Sequence, residues 1–185
     1  GHIPTLLVDL RHQKINQLGM ESIHGIMPLG FTDGSMEAKG TLRNALFGES
    51  IRIDASPAKE NCMGTAKGRL IGGNMTIIYS LIGTELSYDF IDKILFIEDI
   101  GEHIYKVDRM LHAFKLAGIF NQISGLILGG FTEMEDTDVP FGKTIEALIS
   151  EQVSNLGIPV AFNFPIGHIS DNQAVVVGRS VVLMV

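Results

Sequence analysis

Residues 93–111 read KILFIEDIGEHIYKVDRML, and this stretch decides the fold class. The short apolar run Ile94–Ile97 predicts a strand buried on both faces, as in a parallel sheet. Behind it, Ile104, Val107, Leu111 and Phe114 recur at helical spacing, and Gly118 ends the predicted helix. A buried strand followed directly by an amphipathic helix is typical of an α/β fold.

The same alternation continues on both sides of this stretch. Before it, a helix is predicted over residues 6–18, a short buried strand over residues 20–27, and a helix from Ser35 to Phe47 ended by Gly48. Residues 50–64 contain Pro, Ser, Asp and Asn and are typical of a linker. Beyond Phe114 the predicted elements are strands at 126–128, 160–162, 174–177 and 181–185, and a helix through Ile145, Leu148, Ile149, Val153 and Leu156.

The composition excludes several classes of protein. The net charge is −7, without a basic patch, so a nucleic-acid-binding protein is not expected. The apolar runs are far shorter than a membrane span. The single cysteine, Cys62, excludes an internal disulfide and fits a reducing compartment, for which we expect the cytoplasm. The six histidines show no H-x-x-x-H pairing, so a metal site is not expected. The sequence also contains neither G-x-G-x-x-G nor G-x-x-x-x-G-K, so no organic cofactor is expected either.

Three places carry polar residues that packing alone does not require. Glu98, Asp99 and Glu102 follow the buried strand, where active sites form in α/β sheets, although they could equally be a solvated loop. His168 ends the loop motif Pro165–His168 and is either a loop histidine or a base oriented by a carboxylate. Gly72, Gly73 and Asn74 precede an apolar helical stretch, and a plain turn with a helix cap explains them as well.

At these residues the sequence resembles the murein LD-carboxypeptidase and microcin-immunity family of serine peptidases. The motifs are, in order, SIHGIMP (22–28), GRLIGGNMTIIYSLIGT (68–84), KILFIEDIGEHIYKVDRML (93–111), SGLILGGFTE (124–133) and IPVAFNFPIGH (158–168). The resemblance implies a swivelling β/β/α C-terminal domain that supplies the acid Glu98 and the base His168. It also places Gly72, Gly73 and Asn74 near the site, in a substrate-binding or supporting role.

In that family a flavodoxin-like N-terminal domain supplies the serine nucleophile on a G-[FY]-S-D turn. No such turn occurs in this sequence, and the region where it is expected reads GHIPTLLVDL (1–10). We therefore expect residues 1–31 to be a remnant of the nucleophile domain, 32–64 a linker and 65–185 the C-terminal domain. The absence of an initial Met favours truncation over divergence.

The resemblance implies hydrolysis of an L,D-amide in a murein peptide, such as release of the terminal D-alanine from a tetrapeptide, by a protein expected to be a homodimer. Two alternatives remain open. One is an immunity-type hydrolase of a peptide–nucleotide antibiotic, which the acidic segment EMEDTDV (133–139) and the lack of Trp disfavour. The other is a non-catalytic binding or oligomerisation module.

Overall fold

The computed structural model describes residues 13–185. The strands are β1 (Ser22–His24), β2 (Thr65–Asn74), β3 (Lys93–Ile100), β4 (Gly125–Thr132), β5 (Val160–Ala161), β6 (Val175–Val177) and β7 (Ser180–Met184). The helices are α1 (Met36–Phe47), α2 (Met75–Leu81), α3 (Ile104–Leu116) and α4 (Ile145–Val153). Short 3₁₀ turns lie at Pro28–Gly30 and Ile119–Asn121. Residues 13–17 are helical, and the rest of the first predicted helix up to residue 12 lies outside the described residues.

The main sheet has five strands in the order β5-β4-β3-β2-β7. Strands β2 to β5 are parallel, and β7 is antiparallel to β2. Helices α2, α3 and α4 are the crossovers between successive parallel strands, as short βαβ connections require. The carboxyl ends of β2, β3 and β4 therefore meet at one edge of the sheet.

The two faces of the sheet are covered differently. Alternate residues of β3, such as Leu95 and Ile97, pack against the three crossover helices in one core cluster. Ile94 and Phe96 point to the other face, into a second cluster that includes Val175 and β7. The two-stranded antiparallel sheet β1-β6 lies on this second side. All four of these β3 side chains are fully buried, as the continuous apolar run predicts.

Helix α1 belongs to a third, smaller cluster with β6. Its N-cap is Ser35, whose side chain accepts a hydrogen bond from the backbone N–H of Ala38, and Gly48 ends it in the left-handed conformation. Thr41 Oγ1 accepts a hydrogen bond of 2.8 Å from the backbone N–H of Ala174, just before β6. The helix predicted in this part of the sequence is confirmed, together with both of its end signals.

Two local expectations need correction. Residues 20–27 were expected to form a buried strand, but the strand covers only Ser22–His24 and is half-buried, because it pairs with β6 alone. Residues 72–74 were expected to form a turn, but they complete β2 and pair with residues 96–98 of β3. The α/β class is confirmed. The division at residues 31 and 64, the flavodoxin-like remnant and the swivelling type stay predictions.

Gly72 of β2 lies opposite Phe96 of β3. Its φ is 143°, and a Cβ built there would lie 1.9 Å from the carbonyl oxygen of Phe96. Gly72→Ala should therefore lower the free energy of unfolding by about 3 kcal/mol or more, since backbone must move to relieve the overlap. Urea denaturation followed by circular dichroism measures this change.

Gly40→Ala is the matched control. Gly40 is inside α1, with no atom within 4 Å of an added Cβ. Alanine should raise the free energy of unfolding there by about 0.5–1 kcal/mol, because it restricts the unfolded chain and favours the helix. Equal effects of the two substitutions would contradict the close approach of β2 and β3.

Candidate active site

Two adjacent carboxylates lie near the end of β3 and are both buried. Glu98 is 1% exposed and Asp99 is 2% exposed. Successive side chains of a strand point to opposite faces, so the two acids have different surroundings. Burying a carboxylate is costly unless it is paired or hydrogen-bonded. Each acid has such partners, and they differ completely.

Glu98 is paired with His168. The ring Nδ1 of His168 lies 2.7 Å from Oε2 of Glu98, although 70 positions separate the two residues. The imidazole is 39% exposed, whereas the carboxylate is almost fully enclosed. A buried carboxylate that accepts the Nδ1 hydrogen fixes the ring orientation and its tautomer, which is the arrangement of an acid–base pair in hydrolases.

Two glycines, Gly129 and Gly167, make room for the Glu98 side chain. The pairing of β3 with β4 shifts register between Ile97 and Asp99, so that Gly129 and Gly130 together lie opposite Glu98. A Cβ on Gly129 would lie 3.1 Å from Cβ of Glu98, and one on Gly167 would lie 2.8 Å from its Oε2. Glycine at both positions allows this close packing.

Asp99 faces α2 and accepts four hydrogen bonds. Its Oδ1 accepts from Asn74 Nδ2 at 2.7 Å and from the backbone N–H of Ile100 at 2.9 Å. Its Oδ2 accepts from the backbone N–H of Thr76 at 3.0 Å and from Thr76 Oγ1 at 2.8 Å. Burial raises the pKa of the Asp99 carboxyl, and these hydrogen bonds act in the opposite direction. Asp99 thus fastens the end of β3 to the start of α2.

Glu102 belongs to the start of α3. It forms an ion pair of 3.1 Å with Lys106. The residue before α3 is His103, whose side chain makes no cap hydrogen bond. Of the three acids after the buried strand, the structure therefore brings only Glu98 to His168.

Asn74 acts as the N-cap of α2, as expected. Its Oδ1 accepts from the backbone N–H of Ile77 at 3.2 Å, while its Nδ2 binds Asp99. Gly72 and Gly73 pair with Phe96 and Ile97 inside the sheet. A substrate-binding or supporting role for these three residues stays a prediction.

Several residues that shape the site could not be identified from the sequence. These are Thr76 as a partner of Asp99, Gly129 and Gly130 as the bulge, and Asn172, which accepts a hydrogen bond from the backbone N–H of Gly167. Gly129-Gly130, which follows the strand predicted at 126–128, was the one sequence signal for these residues, because paired glycines at a strand often mark a bulge.

Within residues 13–185, no group of three or more His, Cys, Asp or Glu side chains is arranged to hold a metal ion. In the same part of the chain, no helix combines the length and the apolar character that crossing a membrane requires.

Comparison with known proteins defines the family. The model of the LD-carboxypeptidase C-terminal domain matches residues 67–183. The chain therefore belongs to the LD-carboxypeptidase family, a family of serine-type carboxypeptidases that also includes the microcin self-immunity protein MccF.

The chain covers only part of each curated relative that it matches. A Synechocystis sp. protein named as a carboxypeptidase is 35% identical over 162 residues, which are 86% of this chain and 52% of the relative. A Bacillus subtilis protein named as a murein peptide carboxypeptidase is 31% identical over 178 residues, which are 92% of this chain and 56% of the relative. The chain thus spans about half the length of the curated relatives it matches.

Solved structures share the fold. The muramoyltetrapeptide carboxypeptidase of Oxalobacter formigenes superposes with a TM-score of 0.81 at 29% identity, covering 96% of this chain and 62% of that one. MccF in complex with aspartyl sulfamoyl adenosine superposes with a TM-score of 0.76 at 19% identity, covering all of this chain and 63% of MccF. The second similarity concerns the fold alone.

The four donors around Asp99 generate a stability prediction. In Asp99→Asn, an amide nitrogen replaces one of the two carboxylate oxygens. Each oxygen accepts a backbone N–H, from Ile100 or from Thr76, so the new nitrogen faces a donor that cannot turn away. We expect the free energy of unfolding to fall by about 1–3 kcal/mol at neutral pH. Asp89→Asn, on a 69% exposed side chain, should change it by less than about 0.5 kcal/mol. Denaturant titration of both variants measures the difference, and equal values would contradict the buried network.

Proposed function

We propose that this chain supplies the acid and the base of a serine-type LD-carboxypeptidase, with Glu98 and His168 in these roles. One observation carries the proposal: a nearly fully buried carboxylate lies 2.7 Å from Nδ1 of a partly exposed imidazole, at the carboxyl edge of a parallel sheet. Membership of the LD-carboxypeptidase family supports the same chemistry.

The pair would work as follows. Glu98 accepts the Nδ1 hydrogen of His168, so that Nε2 is the nitrogen that takes the proton of the serine hydroxyl. The serine oxygen attacks the carbonyl carbon of the L,D-amide. The imidazolium, stabilised by Glu98, then gives its proton to the departing amine as the C–N bond breaks. The acyl group remains on the serine as an ester. His168 takes a proton from water as the water oxygen attacks the ester carbonyl, and it returns the proton to the serine oxygen as the ester bond breaks and the shortened peptide leaves as a carboxylic acid. No metal or organic cofactor takes part.

The nucleophile would come from outside these 185 residues. The sequence contains no G-[FY]-S-D turn, and the chain spans only about half of its curated relatives. The oxyanion donors of this reaction would be backbone N–H groups beside that serine. The acid–base pair and the nucleophile would therefore lie on separate parts of the complete site.

We propose a murein tetrapeptide as the substrate, with D-alanine as the leaving group. The Bacillus subtilis and Oxalobacter formigenes relatives carry names for this class of peptide. The segment 133–139 follows β4 and is acidic, and Thr132 directly before it donates a hydrogen bond to the His168 carbonyl. The negative charge of this segment, which directly follows Thr132 in the sequence, disfavours a phosphate-bearing substrate. A cytoplasmic location and a homodimer remain part of the proposal.

The isolated chain should show no measurable carboxypeptidase activity. A base without its nucleophile cannot form an acyl-enzyme. The chain is incubated with disaccharide tetrapeptide, and free D-alanine is measured by an enzyme-coupled assay. Release above the buffer background that disappears in His168→Ala would contradict a nucleophile outside these residues.

A chimera tests the roles of Glu98 and His168. The nucleophile domain of an active family member is joined ahead of this chain, in place of that member's own C-terminal domain. We expect release of D-alanine by the chimera. His168→Ala should lower kcat by about 10³-fold or more, and Glu98→Gln by about 10²–10⁴-fold, because general acid–base catalysis contributes on this scale.

Two exposed positions serve as controls. His112 lies on α3 and Glu151 pairs with Lys143, both on the surface. His112→Ala and Glu151→Gln should leave kcat within about twofold, since surface substitutions have small effects. A folded chimera that releases no D-alanine, beside an active parent enzyme, would favour a non-catalytic module.

A further inference from the structure

The loop that carries His168 is fastened to β4 in its first half. Residues 165–173 form this loop and lie in the connection between β5 and β6. The carbonyl oxygen of Ile166 accepts a hydrogen bond from the backbone N–H of Gly130 at 2.8 Å. The carbonyl oxygen of His168 accepts one from Thr132 Oγ1 at 3.1 Å. The C-terminal half of β4 thus binds the loop at Ile166 and at the histidine itself.

The second half of the loop is fastened to α1. Ser35 donates its backbone N–H to the carbonyl oxygen of Ser170 at 3.1 Å. The Ser35 hydroxyl donates to Oδ1 of Asp171 and at the same time accepts from the backbone N–H of Ala38 at 2.8 Å. A single side chain therefore caps the helix and holds the loop, and the Asp171 carboxylate lies at the positive end of the α1 dipole.

The loop is also closed on itself. Oδ2 of Asp171 accepts a hydrogen bond from Gln173 Nε2 at 3.0 Å. Oδ1 of Asn172 accepts one from the backbone N–H of Gly167 at 3.0 Å. Gly167 packs directly against Glu98, so a small sideways movement of the loop would separate Nδ1 of His168 from the carboxylate. The second half of the loop is thus hydrogen-bonded to the residue that directly precedes the histidine.

We infer that Asp171 is a positioning residue that holds His168 against Glu98 by tying its loop to the N-terminus of α1. The inference rests on the proposed function, in which His168 is the base. It assigns a role to Ser35 and α1, which precede the 67–183 region that matches the family domain. Helix α1 would thus be part of the site's support, within the segment that the sequence analysis treats as a linker.

The experiment observes the Glu98–His168 hydrogen bond directly, without requiring activity. In the uniformly ¹⁵N-labelled 185-residue chain, the Nδ1–H of His168 should give a downfield proton signal that His168→Gln removes. Asp171→Ala should abolish this signal and speed amide exchange at residues 167–169 by about tenfold or more, the scale of a lost hydrogen bond to a charged group. Ser35 still caps Ala38 in this variant, so α1 keeps its N-cap.

Two variants separate positioning from general destabilisation. Asp171→Asn keeps an oxygen acceptor for the Ser35 hydroxyl and should retain the signal. Ser124→Ala removes a side-chain hydrogen bond to the carbonyl oxygen of Lys93, at the opposite edge of the sheet, and should also retain it. The inference is overturned if the histidine signal is unchanged in Asp171→Ala, or if it is lost in Ser124→Ala or in Asp171→Asn. Each of these outcomes leaves the proposed function standing. A parent chain without the signal overturns both.

Discussion

The carboxylate of Glu98 is almost fully buried, and this imposes the main constraint on the structure around it. An unpaired charge in that position would be strongly unfavourable, so a donor must reach it through the protein interior. His168 provides that donor at 2.7 Å. The glycines at 129 and 167 follow from the same constraint. A Cβ at position 167 would overlap the Glu98 side chain, and one at position 129 would overlap Ile166 in the loop that leads to the histidine.

The neighbouring carboxylate shows how a strand separates two like groups. Asp99 follows Glu98 directly, yet it faces α2 and is surrounded by donors from Asn74, Thr76 and its own successor, Ile100. Its hydrogen bonds are structural and link β2, β3 and α2 at the edge where the site lies. The strand alternation keeps the two negative charges apart, and each acid has its own partners. The end of β3, which carries the proposed catalytic acid Glu98, is therefore stabilised by the hydrogen bonds of Asp99.

The support of His168 extends beyond the parallel sheet. The loop of residues 165–173 is bound on one side by the β4 bulge and on the other by α1. Helix α1 in turn contacts the segment before β6 through Thr41. The loop that carries the imidazole ring is thus hydrogen-bonded both to the α/β core and to the peripheral helix α1. Support from two elements is typical of sites whose geometry must be held closely while the ring itself stays accessible.

Much of the fold could be predicted from local patterns in the sequence. The apolar run 94–97 determined a buried strand, the helical spacing after Ile104 determined α3, and Ser35 and Gly48 determined both ends of α1, because each signal acts within a few residues. The family resemblance identified Glu98 and His168 as the pair, whereas the residues alone left Glu98, Asp99 and Glu102 open. Only the tertiary structure decided that Glu98 meets His168, that residues 72–74 lie inside the sheet, and that α1 holds the histidine loop. Each of these depends on strand register and on contacts between residues far apart in the chain, such as Ser35 and Asp171, 136 positions apart, which no local pattern encodes.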